Sequence, residues 1–311
     1  MRAILDTALR RRGMPHLAPS GSDAPWDASY FGLDRVAVFR QAPAETRRRI
    51  LAGCAEDVLR EAVGVERLGL TFAARMVLLA ETTEARMTYS LFGADEAMHL
   101  AAIGRYLASP EADTPPRDPF LCLLTEAINE GPRLGLAFVV QVVLEGWGLV
   151  HYGTLSRECR SPDVAATFAG ILRDEALHHG AGRAVLRRDD LPALDHAWTV
   201  EVLVRLLEMV QAGPQRVVDR LTAATGPLSR GELARVFEEL HAEADAGRTL
   251  DLLRNLMRLA PAVVTALDRY AAFAPFSPER CAATMRICEP QNGPGLGSPA
   301  FEANNSMEAG P

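Results

Sequence analysis

Six side chains in this sequence have the types and the spacing to hold metal ions. Glu66 is followed thirty positions later by Glu96, and Glu96 by His99 three residues on. Glu145, Glu175 and His178 repeat both intervals. Carboxylate oxygens and imidazole nitrogens are metal donors. Four carboxylates and two imidazoles in this order are what a helical bundle needs to hold two metal ions in its interior. Such a centre fixes a reaction class and leaves the substrate open.

Helices must bring these residues together. On a helix, residues three apart share a face, one turn apart. Glu96 and His99 therefore point at one place, and Glu175 and His178 do likewise. The thirty-residue interval fits two antiparallel helices joined by a tight turn, because residues equidistant from the turn sit side by side. The first midpoint is Glu81, in Ala80-Glu81-Thr82-Thr83-Glu84, where threonine suits an N-cap and an acid the first turn. The second midpoint is Arg160, followed by Ser161 as N-cap and Pro162 at the first helical position. Each ligand then lies about fifteen residues from its turn, roughly 22 Å along the helix. The same construction selects Glu66 over Glu61, whose midpoint with Glu96 falls in the apolar run Met76 to Leu79.

The flanking residues predict burial. Glu145 ends a run from Leu136 to Leu144 in which Gln141 is the only polar residue. Leu59, Ala62, Val63, Gly69, Leu70 and Ala73 stack near Glu66. An ionised carboxylate in such surroundings costs on the order of several kcal/mol unless compensated. Two divalent cations would bring four positive charges to four carboxylates. Asp95 and Asp174 immediately precede the two Glu-x-x-His motifs. A metal-bound histidine gives its other ring proton to a carboxylate or carbonyl, and these aspartates are placed to accept it, Asp174 from His99 and Asp95 from His178. The spacing occurs a third time in Glu208, Glu238 and His241. Here Leu233, Val236, Phe237, Leu240 and Ala244 form the apolar stripe of the expected helix, and Glu238 and His241 fall on its polar side. No fourth hairpin completes a second centre, so this set is read as coincidence or a worn repeat.

At the six residues the chain resembles the ferritin-like di-iron carboxylate proteins, whose ligand pattern is one Glu from each of two helices and Glu-x-x-His from each of the other two. The resemblance covers about residues 50 to 190. It implies an all-α, ferritin-like four-helix bundle with additional N- and C-terminal helices. It also implies Glu66 and His99 on one iron, Glu145 and His178 on the other, and Glu96 and Glu175 bridging. The doubled Asp-Glu-x-x-His form is similar to the oxygen-activating branch: bacterial multicomponent monooxygenases, acyl desaturases and arylamine N-oxygenases. Two iron ions are the implied cofactor, or a manganese–iron pair, with dioxygen as cosubstrate. The implied reaction is hydroxylation, N-oxygenation or desaturation of a small organic substrate in biosynthesis. The alternatives are a ferroxidase that handles iron, and a helical bundle with a structural metal. No flavin or nicotinamide fingerprint appears, so a ferredoxin or flavin reductase partner is implied, or a substrate that supplies the electrons itself. Ile103 stands where ribonucleotide reductase small subunits carry a radical tyrosine, and Ile171 where arylamine N-oxygenases carry a third histidine. His179, rotated about 100° from its neighbour His178, is a supporting or an exposed residue, with a ligand role as the alternative.

Phe92, Gln141, Trp147, Tyr152 and Phe168 lie within one or two turns of a ligand and are the candidate substrate-pocket residues, with ordinary core as the competing reading. Tyr89 and Tyr152 are candidates for carrying electrons. Gly146 and Gly148 flank Trp147 and either permit close packing or leave room at the site.

Around this centre the composition is that of a soluble protein. The chain has 311 residues and a net charge of −7, which argues against a nucleic-acid partner. All 33 basic residues are arginine, so no lysine Schiff-base mechanism is open. The five cysteines lack a C-x-x-C pair and fit a cytoplasmic protein with reduced thiols. Leu134 to Val150 is short for a membrane span and carries Gln141 and Glu145, so it reads as a central buried helix. A homodimer is compatible with the sequence. The expected organisation is an arm over 1–43, irregular between Pro15 and Asp27. The bundle over 44–190 has helices at about 44–79, 83–108, 132–159 and 162–187. A Pro-rich break at 109–116 and a short helix at 119–130 form its crossover. Helices packed on the bundle fill 191–289, with breaks near Gly213-Pro214 and Thr225-Gly226-Pro227, and 290–311 form a disordered tail.

Overall fold

The computed structural model describes residues 1–13, 24–107, 118–186 and 194–285. The break at 109–116, most of the Pro15 to Asp27 stretch and the tail from 290 lie outside the described residues. Among those described, the chain is all-α with no strand.

Two long hairpins carry the candidate ligands. In the first, α3 (Ala44–Leu79) turns at Ala80 into α4 (Thr83–Gly104). Two short helices precede it, α1 (Arg2–Arg11) and α2 (Ala37–Gln41). α3 stops because Ala80 is extended, and α4 starts because the Thr82 side chain accepts from the Ala85 N–H at 3.1 Å. α4 ends earlier than the expected 108. The chain tightens there, with Tyr106 N–H bonded to the Ile103 carbonyl.

After α5 (Pro119–Glu130), capped by Asp118, the second hairpin joins α6 (Arg133–Arg157) to α7 (Pro162–Val185). Pro162 occupies the first turn of α7, while Ser161 is extended at the N-cap without a side-chain bond. The middle of α6, Ala137–Leu144, winds as a π-helix and returns to α-winding at Glu145. Length and apolarity alone would let α6 cross a membrane, but Ala137 to Val143 are buried within the protein. Their partners include Leu203, Leu206 and Leu207 of α8 (His196–Gln211), and Leu250 and Leu253 of α11 (Ala242–Leu256). Between these helices come α9 (Gln215–Thr225) and α10 (Arg230–Glu239), and after them α12 (Pro261–Arg269) and α13 (Pro278–Thr284).

One expectation is corrected here. The helix that was to run through Leu233 and Ala244 is broken. His241 is left-handed at φ 57°, α10 stops before it, and Ala244 sits exposed in α11. The end of the N-terminal arm packs into the interior. Trp26, Leu33 and Val36 are fully buried. Trp26 Nε1 donates to the Leu155 carbonyl at 3.0 Å, and its ring packs among Leu59, Ile103 and Phe168. Burying a tryptophan with its N–H satisfied outweighs the loop-like composition around it.

Candidate metal centre

Glu66 of α3, Glu96 and His99 of α4, Glu145 of α6, and Glu175 and His178 of α7 converge in the interior. Their donor atoms form two overlapping groups that could each hold a metal ion. One is Glu66, Glu96, His99 and Glu175; the other is Glu145, Glu175 and His178. His99 Nδ1 lies 3.1 Å from Glu66 Oε2, 3.9 Å from Glu96 Oε2 and 3.5 Å from Glu175 Oε1. His178 Nδ1 lies 3.4 Å from Glu96 Oε1 and 3.6 Å from Glu175 Oε1. The two oxygens of Glu96 thus serve different imidazoles. One oxygen of Glu175 stands almost equidistant from both.

Each imidazole turns its Nδ1 inward and its Nε2 outward. His99 Nε2–H donates to Asp174 Oδ2 at 3.1 Å, and His178 Nε2–H to Asp95 Oδ2 at 3.5 Å. These bonds fix the tautomer that leaves Nδ1 free for a cation. The aspartates themselves are half exposed, at 52% and 41%. The imidazole side of the centre therefore lies one carboxylate from solvent.

The charge balance is where the residues test for a cation. Burial, then the neighbouring Glu175 carboxylate, pushes the Glu145 carboxyl well above its usual range. Its Oε2 is buried with no hydrogen-bond partner. Burial likewise raises Glu96, aided by Glu66 and Glu175. Burial pulls His99 and His178 down, but their carboxylate partners outweigh it and raise them to about 9 and about 11. Protein side chains alone leave this cluster short of positive charge, with one carboxylate oxygen orphaned. Two divalent cations would supply both needs, so the residues present fit the group.

Several candidate pocket residues have structural tasks. Gln141, fully buried in the π segment, accepts from the Tyr89 hydroxyl at 2.9 Å and donates to the His178 carbonyl at 3.1 Å. Its own carbonyl accepts from His179 Nδ1–H at 2.8 Å. His179 is thus a clamp on α6, satisfying a carbonyl in the π-wound segment. The Phe92 ring lies tilted 4.2 Å from the His178 ring, Phe168 is core, and Trp147 is partly buried against the main core. A Cβ on Gly146 would meet Leu256 at 2.8 Å, which is close packing, whereas Gly148 faces open space.

Tyr152 has a role that the pocket reading missed. Its hydroxyl donates to Glu66 Oε1 at 2.6 Å from full burial, and burial followed by the Glu66 charge holds it protonated. Its position seven residues after Glu145, two turns along one face, was the available signal. The rejected Glu61 instead pairs with Arg216 at 2.5 Å. The third triplet does not assemble, since Glu208, Glu238 and His241 are all exposed. Comparisons with protein-family models, curated proteins and solved structures find no match to this chain.

Proposed function

We propose that the protein is a non-haem di-iron oxidoreductase that uses dioxygen to oxidise a small organic substrate, on a ferritin-like four-helix bundle made by α3, α4, α6 and α7. The observation that carries this reading is the placement of Glu96 and Glu175 between the inward nitrogens of His99 and His178. Glu66 and His99 would hold one metal, Glu145 and His178 the other, with both bridging carboxylates shared. Iron, or a manganese–iron pair, held there would supply reductive activation of dioxygen. The chain's own residues do the positioning. Asp174 and Asp95 orient the imidazoles, and Tyr152 fixes the angle of Glu66. Tyr89 and Gln141 lock α6 against α7 beside His178. The surrounding apolar core excludes water, which strengthens each of these polar contacts. The helices α8 to α13, beyond what iron storage needs, favour an organic substrate, and a ferredoxin or flavin reductase would deliver electrons.

Anaerobic loading with ferrous iron followed by exposure to oxygen tests the reading. Two irons per chain are expected, with oxygen uptake that depends on a small organic molecule. Uptake driven only by free ferrous iron would make the protein a ferroxidase, and absence of iron binding would overturn the proposal.

A further inference from the structure

Glycine sits in the middle of α3, three residues after Glu66, where helix propensity favours almost any other residue. A Cβ built on Gly69 would lie 2.5 Å from Glu96 Oε2, 2.6 Å from its Cδ and 3.0 Å from its Oε1. The whole carboxylate therefore rests on the bare Cα of Gly69. Other helical glycines meet different neighbours. Gly64 would press on Leu121, Gly182 on Gln141 and Gly146 on Leu256 and His179, while Gly93 would make an ordinary 3.5 Å contact with Ala73.

We propose that Gly69 is a positioning residue for the centre, the missing side chain that lets Glu96 reach both imidazoles at once. Glu96 reaches His178 with one oxygen at 3.4 Å and His99 with the other at 3.9 Å. It can do so only while its carboxyl group occupies the volume a methyl at 69 would take. A methyl there would swing Glu96 away and leave Glu175 as the sole shared carboxylate. The carboxylate at the end of a flexible side chain yields before the backbone of α3, whose Phe72, Ala73 and Met76 are buried in the core. This inference rests on the proposed dinuclear reading.

A double-mutant cycle tests it with cobalt(II) titration and thermal melting of the metal-free chain. Wild type should bind two cobalt ions. Gly69→Ala should bind the pair at least about tenfold more weakly, the scale on which supports of a metal site act. Gly93→Ala should titrate as wild type. In a Glu96→Ala background the clash partner is gone, so Gly69→Ala should leave residual cobalt binding unchanged and raise the metal-free melting temperature through helix propensity. Should Gly69→Ala alone fail to fold, folding of Gly69→Ala/Glu96→Ala still locates the conflict at Glu96. Equal binding by wild type and Gly69→Ala overturns the inference and spares the dinuclear reading. So does a double variant that folds no better than the single one. Failure of wild type to bind cobalt would instead undo the dinuclear reading, with the coupling in the melts still testing residue 69.

Discussion

Glu66, Glu96 and His99 share their spacing with Glu208, Glu238 and His241, and the two sets end in opposite environments. The first lies buried at the crossing of two hairpins, and the second is exposed, on α8, on α10 and at the left-handed residue between α10 and α11. Two physical differences separate them. The first set sits on long uninterrupted helices, whereas α10 ends before His241, which turns left-handed and whose Nδ1 meets Arg35 at 2.8 Å. The first set also faces a second hairpin that repeats it, so Glu96 finds His178 across the interface and Glu175 finds His99. Spacing alone places residues on one helix face. A centre requires a partner face with complementary chemistry and a core that excludes water.

Variants that break the buried set should have effects the exposed set lacks. Glu175 is common to both donor groups, so Glu175→Ala should abolish binding of both metals. Metal should raise the melting temperature of wild type and leave this variant unmoved, because only ligand-binding folded chains gain from mass action. Glu145→Ala and His178→Ala should each lose at least one metal by elemental analysis. Two irons bound normally in either would show the ligand assignment to be wrong. Asp174→Asn should weaken binding by about 10–100-fold. Asp95→Asn should weaken it less, since its contact with the imidazole is longer, 3.5 against 3.1 Å. Tyr152→Phe removes one hydrogen bond to a buried carboxylate and should lower stability by roughly 2 kcal/mol in denaturant titration. At the small end, Glu238→Ala and His241→Ala should leave metal content unchanged and alter stability by about 0.5 kcal/mol or less.

Much of this arrangement is legible in the sequence. Ligand spacing and helix-start residues pointed together to turns at Ala80–Thr82 and Arg160–Ser161, where the turns lie, with Thr82 and Pro162 acting as expected and Ser161 making no side-chain cap. The convergence of the six donors followed from helix spacing and the repeated hairpin, and the pairing of Asp174 with His99 from the need of a metal-bound imidazole for an outer carboxylate. The π-winding of Ala137–Leu144 was not legible, since an apolar run with one glutamine has the same periodicity in either winding. The break at His241 was hidden because Leu240, His241 and Ala242 are all tolerated in helices, and tertiary packing of α11 decided the matter. Trp26 was missed because Pro and Gly around it signal a loop, and loop composition says nothing about what a single indole will pack against. Periodicity put Tyr152 on the same face as Glu145, but its partner Glu66 is on the other hairpin, which spacing within one helix does not name.

Anomalous diffraction at the iron edge from crystals of the iron-loaded protein tests the central claim most directly. The account predicts two peaks, one among Glu66, Glu96, His99 and Glu175 and one beside Glu145 and His178, with Glu175 touching both. A single peak, peaks elsewhere, or density at Glu208, Glu238 and His241 would contradict it.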